Sequence, residues 1–120
     1  MIEELVARVF YARNVAHVEH WAATGVGSYA RHMALGDFYE GVVDALDKLV
    51  EAHQGAFGLI GQVKAPKTKG QDILAILEED AEWVEKNHED ICQGNRAVAN
   101  LVDGVTEVYL TTIYKLRNLM

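Results

Sequence analysis

The chain has 120 residues, of which half are hydrophobic, and it contains one proline and one cysteine. This length and composition predict a single domain over residues 1–120 with a helical core, which excludes a disordered protein. The net charge of −7 opposes DNA binding, and no apolar run reaches the ~18 residues of a membrane span. Because Cys92 has no disulfide partner and the first residues lack the pattern of a secretory signal, we expect a cytoplasmic protein.

Apolar residues recur at helical spacing in four segments of the chain. The first predicted helix spans about residues 2–23, and its apolar positions are Ile2, Leu5, Val9, Ala12 and Ala16. A glycine-containing break at residues 25–27 separates it from the second helix. That helix is predicted over about residues 29–54 and is stopped by Gly55 and Gly58.

A connection over residues 55–70 leads to the second pair of helices. It contains the only proline, Pro66, together with three lysines: Lys64, Lys67 and Lys69. The third helix is predicted from Gln71 to Gly94, and the fourth has apolar residues at Val98, Leu101, Val105, Val108, Thr112 and Leu116. Short turns predict antiparallel neighbours, whereas the longer connection can cross the bundle. We therefore predict an all-α fold, an antiparallel four-helix bundle with a longer crossover between helices 2 and 3.

Two histidines flank the first break symmetrically. His20 and His32 lie six residues to either side of Val26, so their imidazoles face each other near the turn of a helical hairpin. On the second helix, Asp47 and Glu51 are four residues apart and project their carboxylates from one face. That face lies opposite the apolar stripe of the helix, so the two acids point away from the core of their own subunit.

The histidine pair and the carboxylate pair cannot meet within one chain. His32 and Asp47 are fifteen residues apart, which is about 22 Å along a helix axis. Two copies packed antiparallel along this helix would place the histidines of one against the carboxylates of the other, and a two-fold axis would generate two identical sites. The spacing therefore predicts a site that is shared within a homodimer.

Two imidazoles and two carboxylates form a mixed set of nitrogen and oxygen ligands. Such a set suits Fe(II), with open positions for oxygen or peroxide, whereas structural zinc sites favour thiolates. Zinc held structurally by the same four residues is an alternative. Taken one at a time, the histidines also fit surface or capping residues and the carboxylates fit a solvated acidic face. Their combination is what indicates a metal site.

The stretch His20-Trp21-x3-Gly25-x6-His32-x14-Asp47-x3-Glu51 resembles the signature of the Dps family, the mini-ferritins of starved bacterial cells. The match covers about residues 14–55. The resemblance implies a ferritin-like fold, oxidation of Fe(II) with peroxide or oxygen, and storage of Fe(III) in a hollow dodecamer. It also implies that one subunit contributes His20 and His32 as iron ligands and that its mate contributes Asp47 and Glu51. Trp21 would lie beside the metal and intercept radicals.

The chain departs from the family pattern at three points. Ser28 replaces an aromatic residue, Ala52 replaces the arginine that follows the last glutamate, and the chain is shorter than is usual in the family. The sequence has no lysine-rich tail of the kind that some members use on DNA, so we expect no DNA binding. These departures favour a second hypothesis, a non-catalytic ferritin-like structural or interaction module with a structural or vestigial metal site.

Three further features give weaker signals. Glu85-x-x-His88 has the form of half an intramolecular di-iron motif, but helices 2 and 4 supply no second copy, so we interpret both residues as surface residues. His17 lies one turn before His20 and fits a surface or packing residue or an auxiliary ligand. We interpret the acidic residues of the third helix as a solvated face, namely Glu78, Glu79, Asp80, Glu82 and Glu85.

Overall fold

The computed structural model describes residues 1–65 and 72–120, which form four α-helices and contain no β-strand. The helices are α1 (Ile2–Ala22), α2 (Ser28–Phe57), α3 (Ile73–Cys92) and α4 (Arg96–Asn118). The prediction of an all-α fold with four helices is confirmed. Pro66, Lys67 and Lys69 of the predicted connection, and the predicted helix start at Gln71, lie outside the described residues.

Glycines with positive φ angles mark two of the helix boundaries. Gly25 (φ 90°) and Gly27 (φ 78°) form the turn between α1 and α2, and Gly58 (φ 97°) ends α2. Of the two predicted stops, Gly58 is confirmed and Gly55 is wrong, because the helix continues past Gln54 and through Gly55 to Phe57. A glycine inside a helix costs only about 1 kcal/mol relative to alanine. The helix therefore ends at the glycine with a positive φ angle and not at the first glycine.

Side-chain caps start the second pair of helices. The Asp72 carboxylate accepts a hydrogen bond from the Ala75 backbone N–H at 2.9 Å, and the Asn95 side-chain oxygen accepts one from the Val98 N–H at 3.0 Å. Each bond satisfies one of the backbone donors that a helix leaves free in its first turn. The capping residues therefore fix the first turns of α3 and α4.

The helices pack in the ring order α1, α2, α4, α3. The main contacts of α2 are with α1 and α4, and those of α3 are with α4 and α1, so α2 and α3 lie diagonally across the bundle. All four helices contribute side chains to one core. Its fully buried residues include Leu5, Val9, Leu35, Phe38, Val42, Leu49, Ile73, Leu77, Ile91, Val98, Val102 and Tyr109.

The two ends of the connection between α2 and α3 lie at opposite ends of α1. After α2, the Gly61 N–H donates to the Glu3 carboxylate at 2.7 Å, in the first turn of α1. At the start of α3, the Ile73 N–H donates to the Glu19 carboxylate at 3.0 Å, in the last turns of α1. Glu3 and Glu19 are about 24 Å apart along a helix axis. The described residues on the two sides of the connection, Gly61 and Ile73, therefore lie at opposite ends of the bundle.

Asp80 forms a buried polar cluster with Arg8 and Tyr109. Its carboxylate accepts a hydrogen bond from Arg8 Nη1 at 3.0 Å and another from the Tyr109 hydroxyl at 2.9 Å, and Asp80 is only 4% exposed. The guanidinium of Arg8 lies 4.7 Å from the centre of the Trp83 ring. Burial raises the pKa of Asp80 to about 6. The interpretation of Asp80 as part of a solvated acidic face is therefore wrong.

The position of Asp80 on α3 explains its burial. Residues 73, 77, 80 and 84 lie along one helical face, and the other three are the buried apolar residues Ile73, Leu77 and Val84. Burial of a charged carboxylate is costly unless it is paired and hydrogen-bonded. The cation of Arg8 and the hydroxyl of Tyr109 meet that requirement. The cluster thus joins α1, α3 and α4 through polar bonds inside the core.

Within residues 1–65 and 72–120, no helix has both the length and the apolar character needed to cross a membrane.

Candidate metal centre

The hairpin of α1 and α2 brings His20 and His32 together at its closed end. The two imidazole rings are stacked, with their centroids 3.6 Å apart and their planes inclined by 20°. Both side chains are half-buried. The expected meeting of these two imidazoles near the turn is therefore seen.

Each histidine is hydrogen-bonded to the backbone of the other. His20 Nδ1 lies 2.7 Å from the His32 carbonyl oxygen, and His32 Nδ1 lies 2.9 Å from the His20 carbonyl oxygen. Because a carbonyl oxygen can only accept, each Nδ1 must carry the proton and donate. In a neutral imidazole the other nitrogen, Nε2, then keeps its lone pair. Metal-binding histidines are generally held in this way, with one ring N–H on a carbonyl and the other nitrogen free for the metal.

The bond to the His20 carbonyl also has a structural effect. α1 ends at Ala22, so the carbonyl of His20 is among the last four of the helix, which have no partner within it. The His32 ring supplies that partner. A salt bridge of 2.9 Å between Arg31 and Glu19 crosses the hairpin beside it. These bonds hold the two helix ends together around the imidazoles.

A second layer of rings packs behind the histidine pair. His17 stacks on Tyr39 with a centroid distance of 4.0 Å, and Tyr39 and His20 meet edge to face with their centroids 5.3 Å apart. The ring centroids of Trp21 and His17 are 4.3 Å apart, and Trp21 is 69% exposed. His17 is therefore a packing residue of this cluster, and Trp21 lies at its outer surface.

Asp47 and Glu51 lie on the exposed face of α2, as the sequence predicts. Within the part of the chain that the structure describes, no three or more histidine, cysteine or acidic side chains converge closely enough to hold a metal ion. One chain therefore brings the two histidines together and carries the two carboxylates on its surface, but it does not join the two pairs.

A glycine packs against the histidine pair at a position that the sequence pattern did not indicate. Gly36 lies on α2, and a Cβ atom added there would fall 3.2 Å from Cε1 of His20. Tyr39, one turn further along α2, is the other missed neighbour of that ring. The signal in the sequence was a glycine four residues after His32, inside a segment with otherwise continuous helical pattern.

A second polar cluster links α3 and α4. His88 Nε2 lies 2.9 Å from Asp103 Oδ1, while Cys92 Sγ is 3.8 and 3.9 Å from the two nitrogens of the His88 ring. Nearly equal distances show that the sulfur is not in line with either nitrogen. Burial raises the pKa of the Cys92 thiol, so this sulfur is poorly suited to act as a thiolate. Glu85 is exposed on the same helix and takes no part in the cluster.

A groove on the surface of the described residues lies away from the histidine pair. It has a volume of about 660 Å³, its lining includes Arg8, Asp80 and Trp83, and it contains none of the four predicted ligands. A site that is completed by a second subunit would not form a cavity in one chain. The hydrogen-bonded histidine pair is therefore the candidate site, and the groove is not.

Comparison with known proteins gives one match. A model described as a family of unknown function, DUF5856, matches residues 20–116, a region that begins at His20 and includes all four predicted ligands. No curated protein and no solved structure matches the chain.

Proposed function

The chain belongs to the family of unknown function DUF5856, and within that family we propose a ferroxidase of the Dps, or mini-ferritin, type. Its substrate is Fe(II), which binds between the histidines of one subunit and the carboxylates of its mate. Peroxide or oxygen is the oxidant, and the ferric product is stored by an assembly of these dimers. The protein acts in the cytoplasm without binding DNA.

The observation that carries this proposal is the reciprocal bonding of His20 and His32. Both Nδ1 atoms are committed to carbonyl oxygens at 2.7 and 2.9 Å, so both Nε2 lone pairs are available for metal ions. A lone pair lies in the plane of its ring, and the two rings are stacked 3.6 Å apart. This arrangement favours one Fe(II) per imidazole, because the two lone pairs lie in separate and nearly parallel planes.

The surface of the hairpin supports a second copy as the partner. Asp47 and Glu51 are exposed, and the large apolar side chains of the same hairpin that are exposed to solvent include Phe10, Val18, Trp21 and Met33. A two-fold dimer that covers these apolar side chains would also bring the carboxylates of one chain towards the histidines of the other. Carboxylates suit this place because they neutralise the charge that iron gains on oxidation.

The fold supports a ferritin-like, antiparallel bundle. α2 and α3 lie diagonally, and the connection between them has its two ends at opposite ends of α1. A bundle of two helical hairpins joined by one crossover has this arrangement.

In the proposed reaction, two Fe(II) ions each lose one electron, and one hydrogen peroxide takes up both electrons and two protons to leave as two water molecules. Trp21, at the outer surface, is the residue proposed to intercept stray radicals.

Replacement of one proposed ligand tests the function directly. Metal-free protein is loaded with Fe(II) without oxygen, peroxide is added, and the ferric absorbance is followed. We expect Asp47→Asn to lower the oxidation rate by more than the roughly 10–100-fold that changes around metal ligands cost, with no change in helix content. Asp44→Asn is the matched control, because Asp44 is an exposed acid of α2 outside the proposed ligand set. Equal rates in wild type and Asp47→Asn would contradict the proposal.

A structural module is the second candidate, and the same histidine pair favours it. The two bonds between imidazole and carbonyl already join α1 to α2 without any metal, and Ser28 and Ala52 depart from the Dps pattern. Under this proposal the protein binds no iron and forms a particle of only two chains, or it holds zinc without turnover. Particle mass and metal content after Fe(II) loading distinguish the candidates, since an assembly of about a dozen chains that takes up and oxidises iron supports the ferroxidase.

A further inference from the structure

Gly36 lies where the ring of His20 meets α2. A Cβ atom at this position would fall 3.2 Å from Cε1 and 3.4 Å from Nδ1 of His20. Contacts this short force the neighbouring group to shift. The ring has little room to do so, because the His32 ring is stacked on it with centroids 3.6 Å apart and the Tyr39 ring packs against it in an edge-to-face arrangement with centroids 5.3 Å apart.

The geometry of a helix explains why this position is critical. Side chains of an α-helix point back towards its N-terminus, so a residue covers the surface near the residue four positions earlier. Gly36 is four residues after His32, whose carbonyl oxygen accepts the 2.7 Å bond from His20 Nδ1. A side chain at position 36 would occupy the space through which the imidazole approaches this carbonyl.

We propose that Gly36 is a positioning residue for His20, because its missing side chain lets Nδ1 donate to the His32 carbonyl and leaves Nε2 free for Fe(II). This inference rests on the proposed function for its effect on iron, while its effect on the His20 ring stands alone. The role is steric, and Gly36 itself touches neither iron nor the oxidant.

Alanine at this position has opposite effects on the helix and on the histidine. Alanine favours the helical state over glycine, so Gly36→Ala on its own should raise the melting temperature. The added methyl group pushes the His20 ring away by a few tenths of an ångström and weakens its bond to the carbonyl. With that bond weakened, the proton of the ring is no longer held firmly on Nδ1, and Nε2 is no longer reserved for the metal.

Gly41→Ala is the matched control. Gly41 lies in the same helix, and a Cβ atom added there has no neighbour within 4 Å. Both variants add one methyl group to α2, but only Gly36→Ala reaches His20. A difference between them therefore reports on the imidazole and not on helix propensity.

Two measurements test the inference. The first is the ¹⁵N NMR spectrum of histidine-labelled protein, in which wild type and Gly41→Ala should show His20 with its proton on Nδ1 and Gly36→Ala should not. The second is titration with Co(II), a divalent ion that peroxide-free buffer does not oxidise. We expect Gly36→Ala to weaken Co(II) binding by about 10–100-fold, the usual effect of disturbing the partner of a metal-binding histidine.

The outcomes separate this inference from the proposed function. If Gly36→Ala keeps the wild-type His20 spectrum, the inference is overturned whatever the metal affinity. If the wild type itself binds no Co(II) but its His20 spectrum changes in Gly36→Ala, the steric role stands and the ferroxidase proposal fails.

A stability comparison provides an independent test. In a His20→Ala background no ring opposes the new methyl group, so Gly36→Ala should raise the melting temperature as much as Gly41→Ala does. In the wild-type background the gain from Gly36→Ala should be smaller than that from Gly41→Ala. If Gly36→Ala raises the melting temperature as much as Gly41→Ala does in both the wild-type and the His20→Ala background, position 36 does not act through His20.

Discussion

Two variants that are each inactive are expected to oxidise iron when they are mixed. The first carries His20→Gln and His32→Gln, and the second carries Asp47→Asn and Glu51→Gln. If each site takes its histidines from one chain and its carboxylates from the other, a mixed dimer contains one intact site and one site with all four ligands replaced. Random pairing of equal amounts should then restore about a quarter of the wild-type rate, because half of the dimers are mixed and each has one intact site.

The control is a pair of variants whose changes fall on the same side of the site. A mixture of His20→Gln with His32→Gln should stay inactive, since every site then lacks one of its histidines. Both mixtures are unfolded and refolded together, and native mass spectrometry verifies that mixed dimers form. Mixed dimers that fail to recover activity would contradict the shared site even if the wild type oxidises iron.

The second large effect concerns the buried carboxylate of Asp80. Its pKa is about 6, above the ordinary value of 3.8, because burial disfavours the charged form. The native state therefore binds a proton more tightly than the unfolded state does. The stabilisation from that proton is complete below pH 3.8 and is lost as the pH rises through 6. Above that pH the charged carboxylate depends on Arg8.

Arg8→Met should lower the free energy of unfolding more at pH 7 than at pH 5. At pH 7 the change leaves a buried carboxylate without its cation. We expect a loss of about 2–3 kcal/mol, below the ~3–5 kcal/mol of a fully buried pair, because Arg8 is 29% exposed. At pH 5 the carboxyl group is mostly protonated in the native state, so the loss should fall to roughly 1 kcal/mol from lost packing on Trp83. Urea unfolding at both pH values measures the difference.

Two further variants define the origin of that effect. In an Asp80→Asn background there is no charge that needs a cation, so Arg8→Met should cause the same loss, relative to Asp80→Asn alone, at pH 5 and at pH 7. Arg13→Met is the control for loss of a positive charge from α1, since the Arg13 guanidinium contacts Asn14 and not Asp80. A loss from Arg8→Met that does not change with pH would show that Asp80 does not need the charge of Arg8.

The sequence predicted the helices better than it predicted the interior. Four apolar repeats separated by glycines were enough for four helices, because helix formation depends on local spacing. The predicted end of α2 was wrong because the sequence does not distinguish a glycine that a helix tolerates, Gly55, from a glycine with a positive φ angle that ends it, Gly58. Asp80 was misread for a related reason. Helical spacing places it on the apolar face, but its burial depends on Arg8 and Tyr109, which come from other helices.

The candidate site divides in the same way. Symmetric placement about Val26 was sufficient to predict that His20 and His32 meet. Only the three-dimensional structure shows that each histidine bonds to the carbonyl oxygen of the other. The same holds for the space at Gly36 on which one of these bonds depends. The assignment of Asp47 and Glu51 to a partner subunit stays a prediction, because it concerns contacts between two chains.

The proposed metal ligands all belong to the first helical hairpin of the chain, and the second hairpin contributes only to the packing of the bundle. All four proposed ligands lie between residues 20 and 51, in the hairpin of α1 and α2, while Asp80, Tyr109 and half of the core cluster belong to the hairpin of α3 and α4. Changes on the outer surface of the second hairpin therefore leave the proposed reaction untouched as long as its buried face still packs. Within a set of related proteins, the first hairpin should tolerate few substitutions, whereas the exposed residues of the second should vary freely in charge and size.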